Sequence, residues 1–495
     1  MNFYRSHQTI ARILSIFLCA FLLFGKSSIN ALAAPETQED YLAEAEERKS
    51  LTVQSNQIEN WPSGPAIGAQ AAILMEANTG VILYAKNIDE KLYPASTTKL
   101  LTCLIAAENC QLNETVTFSH DAVFNLEPGS SNIGIDEGQS MPLEECLYGI
   151  LVASANEVAN AVAEHVAGSQ EDFAKMMNEK AAALGCTNSH FVNAHGLYDD
   201  EHYVSAYDLA LIAKAFFQDE LLSKIGNTPS HHFQATAAQP DDFITRNKHQ
   251  LITGDISYEG IKGGKTGYTD EARQTLVTCA EQNGMKLICV ILKEESPDQF
   301  YDTVKLFDYG FTNFSIANVS ENETRYSMQN SNFFNTSSDV FGNSSPIFSL
   351  NPDSYLIMPK TAKFEDLDSE ISYDTTEENE IAIIHYYYHD SYVGTATLDF
   401  ADTSSPSYEF TESSDVPIDV SQKKVIVINV KLVLLAVVAA ALLIIAVIVL
   451  RSIISSYNIL DNSKGSRRKR RLGRNQKNRK DGPYFPSSRF KDFDL

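Results

Sequence analysis

The sequence predicts a mixed helix-and-strand domain of the α/β (α+β) class, then a small all-β domain, then a C-terminal transmembrane helix. Three observations carry this. Apolar residues at helical spacing, as in Leu100, Leu101, Leu104 and Ile105, are followed by two β-rich runs, Arg273 to Ala280 and Met285 to Leu292, across the hairpin signal Asn283-Gly284. A second β-rich stretch, Ser354 to Phe400, lies beyond a segment rich in Asn and Ser. From Leu432 to Leu450 the chain is apolar without interruption, close to the roughly 30 Å needed to cross a bilayer at about 1.5 Å per residue.

Residues 1–33 read as a signal peptide. Arg5 and Arg12 precede the apolar run Ile13 to Phe24, which is too short for a span, and Ala31-Leu32-Ala33 offers a cleavage site after Ala33. A polar lead-in of unassigned structure occupies 34–63. The mixed domain is placed at 64–315, the Asn/Ser-rich linker at 316–350 and the small β domain at 351–415, with a hairpin turning over His389-Asp390-Ser391. The transmembrane helix is placed at 425–450 and a basic tail at 451–495. Arg451 and Arg467-Arg468-Lys469-Arg470-Arg471 follow the apolar run, so the positive-inside rule puts the tail in the cytoplasm and the rest outside the cell membrane. That basic run reads as a stop-transfer flank attracted to anionic lipid, not as a nucleic-acid site. The whole chain carries a formal net charge of -25, and the portion outside is more acidic still, which argues against binding anionic polymers by bulk charge.

Three short motifs carry the chemistry. The first is Ser96-Thr97-Thr98-Lys99. Pro94 precedes it and an apolar helical stripe follows, so Ser96 falls at a helix N-terminus, where backbone N–H groups and the helix dipole favour a developing oxyanion. Lys99 lies one helical turn on, on the same face, within reach of the Ser96 hydroxyl. To take a proton it must be neutral, and burial together with a second cation, Lys265, would lower its pKa. The second motif, Ser154-Ala155-Asn156, sits between an apolar run and a following helix; Ser154 can relay a proton and Asn156 can hold a substrate or orient Lys99. The third, Lys265-Thr266-Gly267, opens a strand. Lys265 and Thr266 suit a carboxylate, Gly267 admits close backbone approach, and an extended peptide can add to the strand edge.

Each motif has competitors. Ser-x-x-Lys and Ser-x-Asn should each occur about twice by chance in such a chain, whereas Lys-Thr-Gly should occur in fewer than roughly one chain in ten, so order and context decide. Ser421-Gln422-Lys423-Lys424 abuts the apolar run and reads as a membrane flank. Ser130-Ser131-Asn132 follows Pro128-Gly129 and reads as a loop.

In that order the three motifs resemble the active-site signature of penicillin-binding proteins and serine β-lactamases. From Ala72 to Phe311 the chain is similar to the D-alanyl-D-alanine carboxypeptidases, the low-molecular-mass penicillin-binding proteins. The matching segments include Met75-Glu76-Ala77-Asn78-Thr79-Gly80, Asn193-Ala194-His195-Gly196-Leu197, Ala206-Tyr207-Asp208-Leu209-Ala210 and Lys265-Thr266-Gly267-Tyr268-Thr269. The resemblance implies a penicillin-binding/serine β-lactamase-like catalytic domain, an oxyanion hole from the N–H groups of Ser96 and Tyr268, and a β-rich pedestal that holds this domain off the membrane. Departures are Ala155 where the family usually has glycine, Glu157-Val158 where it has an acidic residue then alanine, Arg273 where a small residue is common, and Gln299 near where many relatives carry an arginine before Phe300. A membrane span with a basic tail also departs, since relatives more often end in an amphipathic helix.

His190, His195 and His202 fit no standard zinc spacing, and neither a metal nor another cofactor is expected; His195 reads as a loop residue near the cleft. Cys279 and Cys289 fall on opposite strand faces about Asn283-Gly284, so that pair is not expected to bridge; an even count of six in the mature chain permits disulfides without requiring them, and small buried thiols are the default expectation. The function expected is removal of the terminal D-Ala from peptidoglycan stem peptides through a Ser96 acyl-enzyme, with β-lactam antibiotics as covalent inhibitors and the membrane as a partner. Ser96, Lys99 and Ser154 are the catalytic group; Asn156, Lys265, Thr266, Gly267 and Tyr268 bind substrate. The alternatives are a β-lactamase or a catalytically weak peptidoglycan-binding scaffold.

Overall fold

The computed structural model describes residues 37–325, 348–375, 377 and 379–400. All of them belong to one compact unit. The signal peptide at 1–33, most of the Asn/Ser-rich segment, Ser421, the apolar run from Leu432 to Leu450 and the basic tail lie outside the described residues. Among the described residues, no helix is long and apolar enough to cross a membrane.

The first sheet is antiparallel. Its strands are β1 (Ala71–Glu76), β2 (Ile82–Lys86), β3 (Ile261–Thr269), β4 (Arg273–Gln282) and β5 (Met285–Glu294), in the order β2-β1-β5-β4-β3. The β4–β5 turn is Asn283-Gly284, with φ of 51° and 80°, both positive as the twist of a two-residue hairpin demands. Successive side chains feed opposite faces: Val277, Cys279, Ile288 and Val290 join one core, and Leu276, Ala280, Leu287, Cys289 and Ile291 join the other. Cys279 and Cys289 thus point apart, and all six cysteines among the described residues are free. Strand β3, which carries Lys265-Thr266-Gly267, ends the sheet among the described residues, so the edge at that motif can take an added strand.

Six helices among the described residues exceed ten residues: α1 (Gln38–Arg48), α2 (Lys99–Asn109), α3 (Asn156–Ala167), α4 (Gln170–Ala183), α5 (Ala206–Gln218) and α6 (Asp298–Asn313). Apolar stripes of α2 to α5, among them Leu104, Val158, Phe173 and Phe216, cover one sheet face, while α6 covers the other through Leu306 and Phe307. The mixed domain is therefore three-layered, with the motif-bearing ends of α2, α3 and β3 meeting at one edge.

The second sheet comprises β6 (Phe314–Asn318), β7 (Phe348–Leu350), β8 (Tyr355–Pro359), β9 (Asp368–Ser372), β10 (Glu380–Tyr388) and β11 (Ser391–Phe400). It runs β6-β8-β11-β10-β9, with β7 paired to β11. Strand β6 follows α6 directly, so this sheet begins at Phe314, inside the catalytic boundary drawn from sequence, and continues into what reads there as linker. The β10–β11 turn is the pair His389-Asp390, at φ 46° and 63°, and Ser391 is already strand. The two sheets share a core: the Trp61 ring lies 5.1 Å from that of Phe314 and 6.5 Å from that of Tyr388, and donates its indole N–H to Leu83 O at 2.9 Å. Leu356, Ile357 and Ile384 pack in the same cluster as Leu74 and Leu287.

The lead-in is ordered from its first described residues. Thr37 accepts from Asp40 N while the Asp40 carboxylate accepts from Thr37 N, a reciprocal cap that starts α1. Arg48 donates to Gly68 O at 2.8 Å, and the buried Lys86 amine donates to Arg48 O and Ile67 O, both at 2.8 Å. Helix α1 also places the Tyr41 ring 3.6 Å from the guanidinium carbon of Arg273, at the start of β4. These partners lie far off in sequence, which is why composition alone leaves the segment unassigned.

Candidate active site

Ser96 sits in the tight turn Ala95–Thr98 that runs straight into α2. Ala95, at φ 49°, and Ser154, at φ 64°, hold left-handed backbone beside the site. The first turn is held by Thr97 and Thr275, whose hydroxyls donate to Pro94 O at 2.7 and 2.8 Å. The Asn193-Ala194-His195-Gly196-Leu197 loop packs beneath it. Gly196, at φ 82°, lies so close that a Cβ there would stand 2.7 Å from Thr98 Oγ1 and overlap the Ala95 backbone.

Lys99 is fully buried, and its Nζ has three neighbours: Ser96 Oγ at 2.9 Å, Asn156 Oδ1 at 2.6 Å and the His195 carbonyl at 2.6 Å. Burial first, and the Lys265 charge second, hold its pKa well below the ordinary lysine value. A neutral amine has two N–H bonds and one lone pair. With Asn156 and His195 taking the two donors, the lone pair is left for the Ser96 hydroxyl proton. The His195 side chain itself is not part of this geometry; burial holds its pKa well below the usual range, and its contribution is the backbone oxygen.

Ser154 terminates a short π-helical turn (Gly149–Ala153), and Ala155, not Ser154, is the N-cap of α3. The hydroxyl is therefore free of capping duty and accepts from Lys265 Nζ at 3.0 Å. Lys265 also donates to Thr266 O at 2.7 Å, is 2% exposed, and has its pKa pushed down to about 7, by burial first and then by Lys248. Gly267 presses against the nucleophile: a Cβ there would lie 2.8 Å from Ser96 N and 3.0 Å from Ala95 Cβ, so only glycine lets β3 bring its backbone alongside Ser96.

Ser96, Ser154, Asn156, Thr266, Gly267 and Tyr268 line one cleft of about 380 Å³. Lys99 and Lys265 lie beneath its floor. The structure thus brings together all eight residues singled out from sequence. It adds several that sequence reasoning missed. Ser131, from the loop set aside as a chance Ser-x-Asn, lines the cleft and accepts from Lys248 Nζ at 2.9 Å. Among the described residues that line the cleft, Lys248 is the one charged side chain. Its neighbours in sequence, Asn247 and His249, are both buried, which turns Lys248 outward. No periodicity in the sequence marks it.

Arg273 and Gln299, and Glu157 beside the departure at Val158, make specific contacts. Glu157 is buried and accepts from Ile133 N at 2.6 Å and Gly134 N at 3.2 Å, fixing the loop that continues from Ser131. Gln299 donates to Gln274 Oε1 at 3.3 Å, and both amides line the cleft. Arg273, at φ 52°, makes a bidentate pair with buried Glu295 at 2.9 and 2.8 Å and reaches Tyr268 Oη at 3.4 Å. His190, His195 and His202 do not converge as ligands: His190 Nδ1 meets Glu201 O, and His202 Nε2 meets Thr98 Oγ1.

Fold and site together set a serine–lysine pair, its lysine buried, in a cleft on a penicillin-binding protein-like scaffold. A sequence model of the D-alanyl-D-alanine carboxypeptidases, peptidase family S11, matches residues 58–296. D-alanyl-D-alanine carboxypeptidase DacB2 of Mycobacterium tuberculosis is 33% identical over 256 residues, covering 50% of this chain and 84% of that protein. DacF of Bacillus subtilis is 35% identical over 252 residues, 50% of this chain and 63% of that protein. Penicillin binding protein 5 of Haemophilus influenzae superimposes with a TM-score of 0.55 at 25% identity, over 68% of this chain and 98% of that structure. The chain belongs to the D-alanyl-D-alanine carboxypeptidase family. It spans less than two thirds of the length of DacF and of Escherichia coli DacA, 63% and 64%.

Proposed function

We propose that this protein is a membrane-anchored, extracytoplasmic serine carboxypeptidase that removes the terminal D-Ala from peptidoglycan stem peptides and is acylated by β-lactams. The observation that carries the chemistry is the placement of Lys99 Nζ 2.9 Å from Ser96 Oγ with its other two hydrogen-bonding directions satisfied. Ser96 Oγ attacks the penultimate D-Ala carbonyl and its proton passes to Lys99. The N–H groups of Ser96 and Tyr268 take the oxyanion. Ser154, bonded to Lys265, relays a proton to the departing D-Ala amine, and water then hydrolyses the Ser96 ester. The substrate backbone adds to the open edge of β3.

The terminal carboxylate is gripped by the Thr266 hydroxyl and by charge. Lys265 lies behind Thr266, and Lys248 supplies the ammonium group that reaches the cleft. Anchoring rests on the apolar run Leu432 to Leu450 and its basic flank, and orientation on the positive-inside rule. The second sheet serves as the pedestal. Protection of an epitope placed after Asp481 from external protease tests that topology, and release of the full mature chain by alkaline carbonate would contradict it.

The activity is tested on the full chain in detergent. One D-Ala should leave each pentapeptide, a tetrapeptide should remain, and the penicilloyl ester should decay slowly. Lys248→Ala should raise KM for the pentapeptide by about tenfold, the scale of one charge-assisted contact at a wet site. Rapid penicillin hydrolysis without D-Ala release would indicate a β-lactamase, and peptide binding with no release would indicate a scaffold.

A further inference from the structure

A second cluster lies at the opposite end of the two helices that build the active site. Cys110 is the C-cap of α2, Glu114 lies four residues on in the following turn, and His165 is in the last turn of α3. A thiol sulfur, a carboxylate oxygen and an imidazole nitrogen here all lie within 4.8 Å of one another, and all three residues are half-buried. Glu114 is oriented by two contacts: Gln111 N donates to Oε1 at 2.6 Å, and Oε2 meets His165 Nε2 at 3.0 Å.

We propose that Cys110, Glu114 and His165 form a zinc-class divalent metal site that clamps the far ends of α2 and α3. One thiolate, one imidazole and one carboxylate make a borderline-soft donor set, suited to Zn²⁺ and unsuited to Ca²⁺ or Mg²⁺. Three protein ligands leave a fourth tetrahedral position for water, and the half-buried setting gives water access. Tetrahedral zinc needs its donors roughly 3.3–3.6 Å apart. The Glu114–His165 separation of 3.0 Å is already slightly shorter than that range and the others exceed it by about 1.5 Å at most, within reach of χ rotation at side chains that are not locked in the core. Two helices direct their C-terminal, partially negative ends at the cluster, which favours a cation there. Glu108, close by in α2, is already paired with Lys180 at 2.6 Å and does not compete as a ligand.

On binding, the Cys110 S–H bond breaks, its proton goes to solvent and a metal–thiolate bond forms. His165 binds through Nε2 with its proton on Nδ1, and Glu114 exchanges its contact with His165 for the metal. The near ends of the same helices carry Lys99 and Asn156, whose side chains meet at 2.6 Å, so a clamp at the far ends fixes the relative slide of the base and its orienting amide. Linear spacing hides the site, because His165 lies 51 residues beyond Glu114.

The test uses the full chain in detergent, reduced and stripped of metal, titrated with Co²⁺ and then with Zn²⁺ against a chromophoric chelator. The expected result is a thiolate-to-cobalt charge-transfer band saturating at about one equivalent, displaced by Zn²⁺. Cys110→Ser should abolish the band, and His165→Ala should weaken binding at least tenfold. Labelling of Ser96 by penicillin reports that both variants remain folded. Absence of the band in the folded wild-type chain, or a band undiminished in Cys110→Ser, would overturn the proposal.

Discussion

Ser96→Ala is expected to abolish covalent labelling by penicillin and to reduce D-Ala release from the stem pentapeptide by about 10⁶-fold, the scale seen when a serine nucleophile is removed from a preorganised site. In the structure the Ser96 hydroxyl meets Lys99 at 2.9 Å, so the substitution deletes the attacking oxygen and leaves the Lys99 contacts to Asn156 and His195 in place. The fold should survive, and the melting temperature is the control. In wild type the label should map to the tryptic peptide that contains Ser96. Label on another serine, or undiminished label in the variant, would refute the assignment.

The second large effect is expected at Lys99. Lys99→Met keeps the buried stem and removes the amine, so acylation should slow by about 10²–10⁴-fold, the usual weight of a positioned general base. Stability should fall as well, because Asn156 Oδ1 and the His195 carbonyl lose a buried donor, a cost of about 1–3 kcal/mol for each unpaired group. Reading acylation and melting on the same preparation separates the two. A variant that melts like wild type and acylates at an unchanged rate would remove Lys99 from the mechanism.

Much of the site is legible in the sequence because its chemistry is local. Ser96 and Lys99 are one helical turn apart, and the turn that precedes them is marked by Pro94. Asn283-Gly284 announces the hairpin that sets the register of β4 and β5, and β3 pairs with β4 from Thr269↔Arg273 back to Ile261↔Ala280. The residues that sequence did not reveal act through tertiary neighbours. His195 contributes a backbone carbonyl, which no side-chain pattern reports. Lys248 matters because it reaches Ser131 from 117 residues away. Helix α1 gains its place from Arg48, Lys86 and Tyr41 contacts with distant segments. Phe314 to Asn318 is too short to declare itself a strand until β8 pairs with it.

The two lysines below the cleft link structure to pH dependence. As the proposed base, Lys99 must be neutral to act, and both burial and Lys265 push it toward that form. The acylation rate should therefore rise with pH only until the lowered pKa of Lys99 is passed. A lysine at its ordinary value of about 10.4 would instead keep the rate climbing tenfold per unit through the alkaline range.

The rate of Ser96 acylation by a labelled penicillin, measured on the full chain from acid pH to about pH 10, tests this directly. The neutral-amine mechanism predicts a rate with no further rise between about pH 9 and 10, and an ascending limb that is absent from Lys99→Met. A rate that still climbs about tenfold over that last unit, or an ascending limb that Lys99→Met retains, would show that a buried neutral Lys99 is not the base.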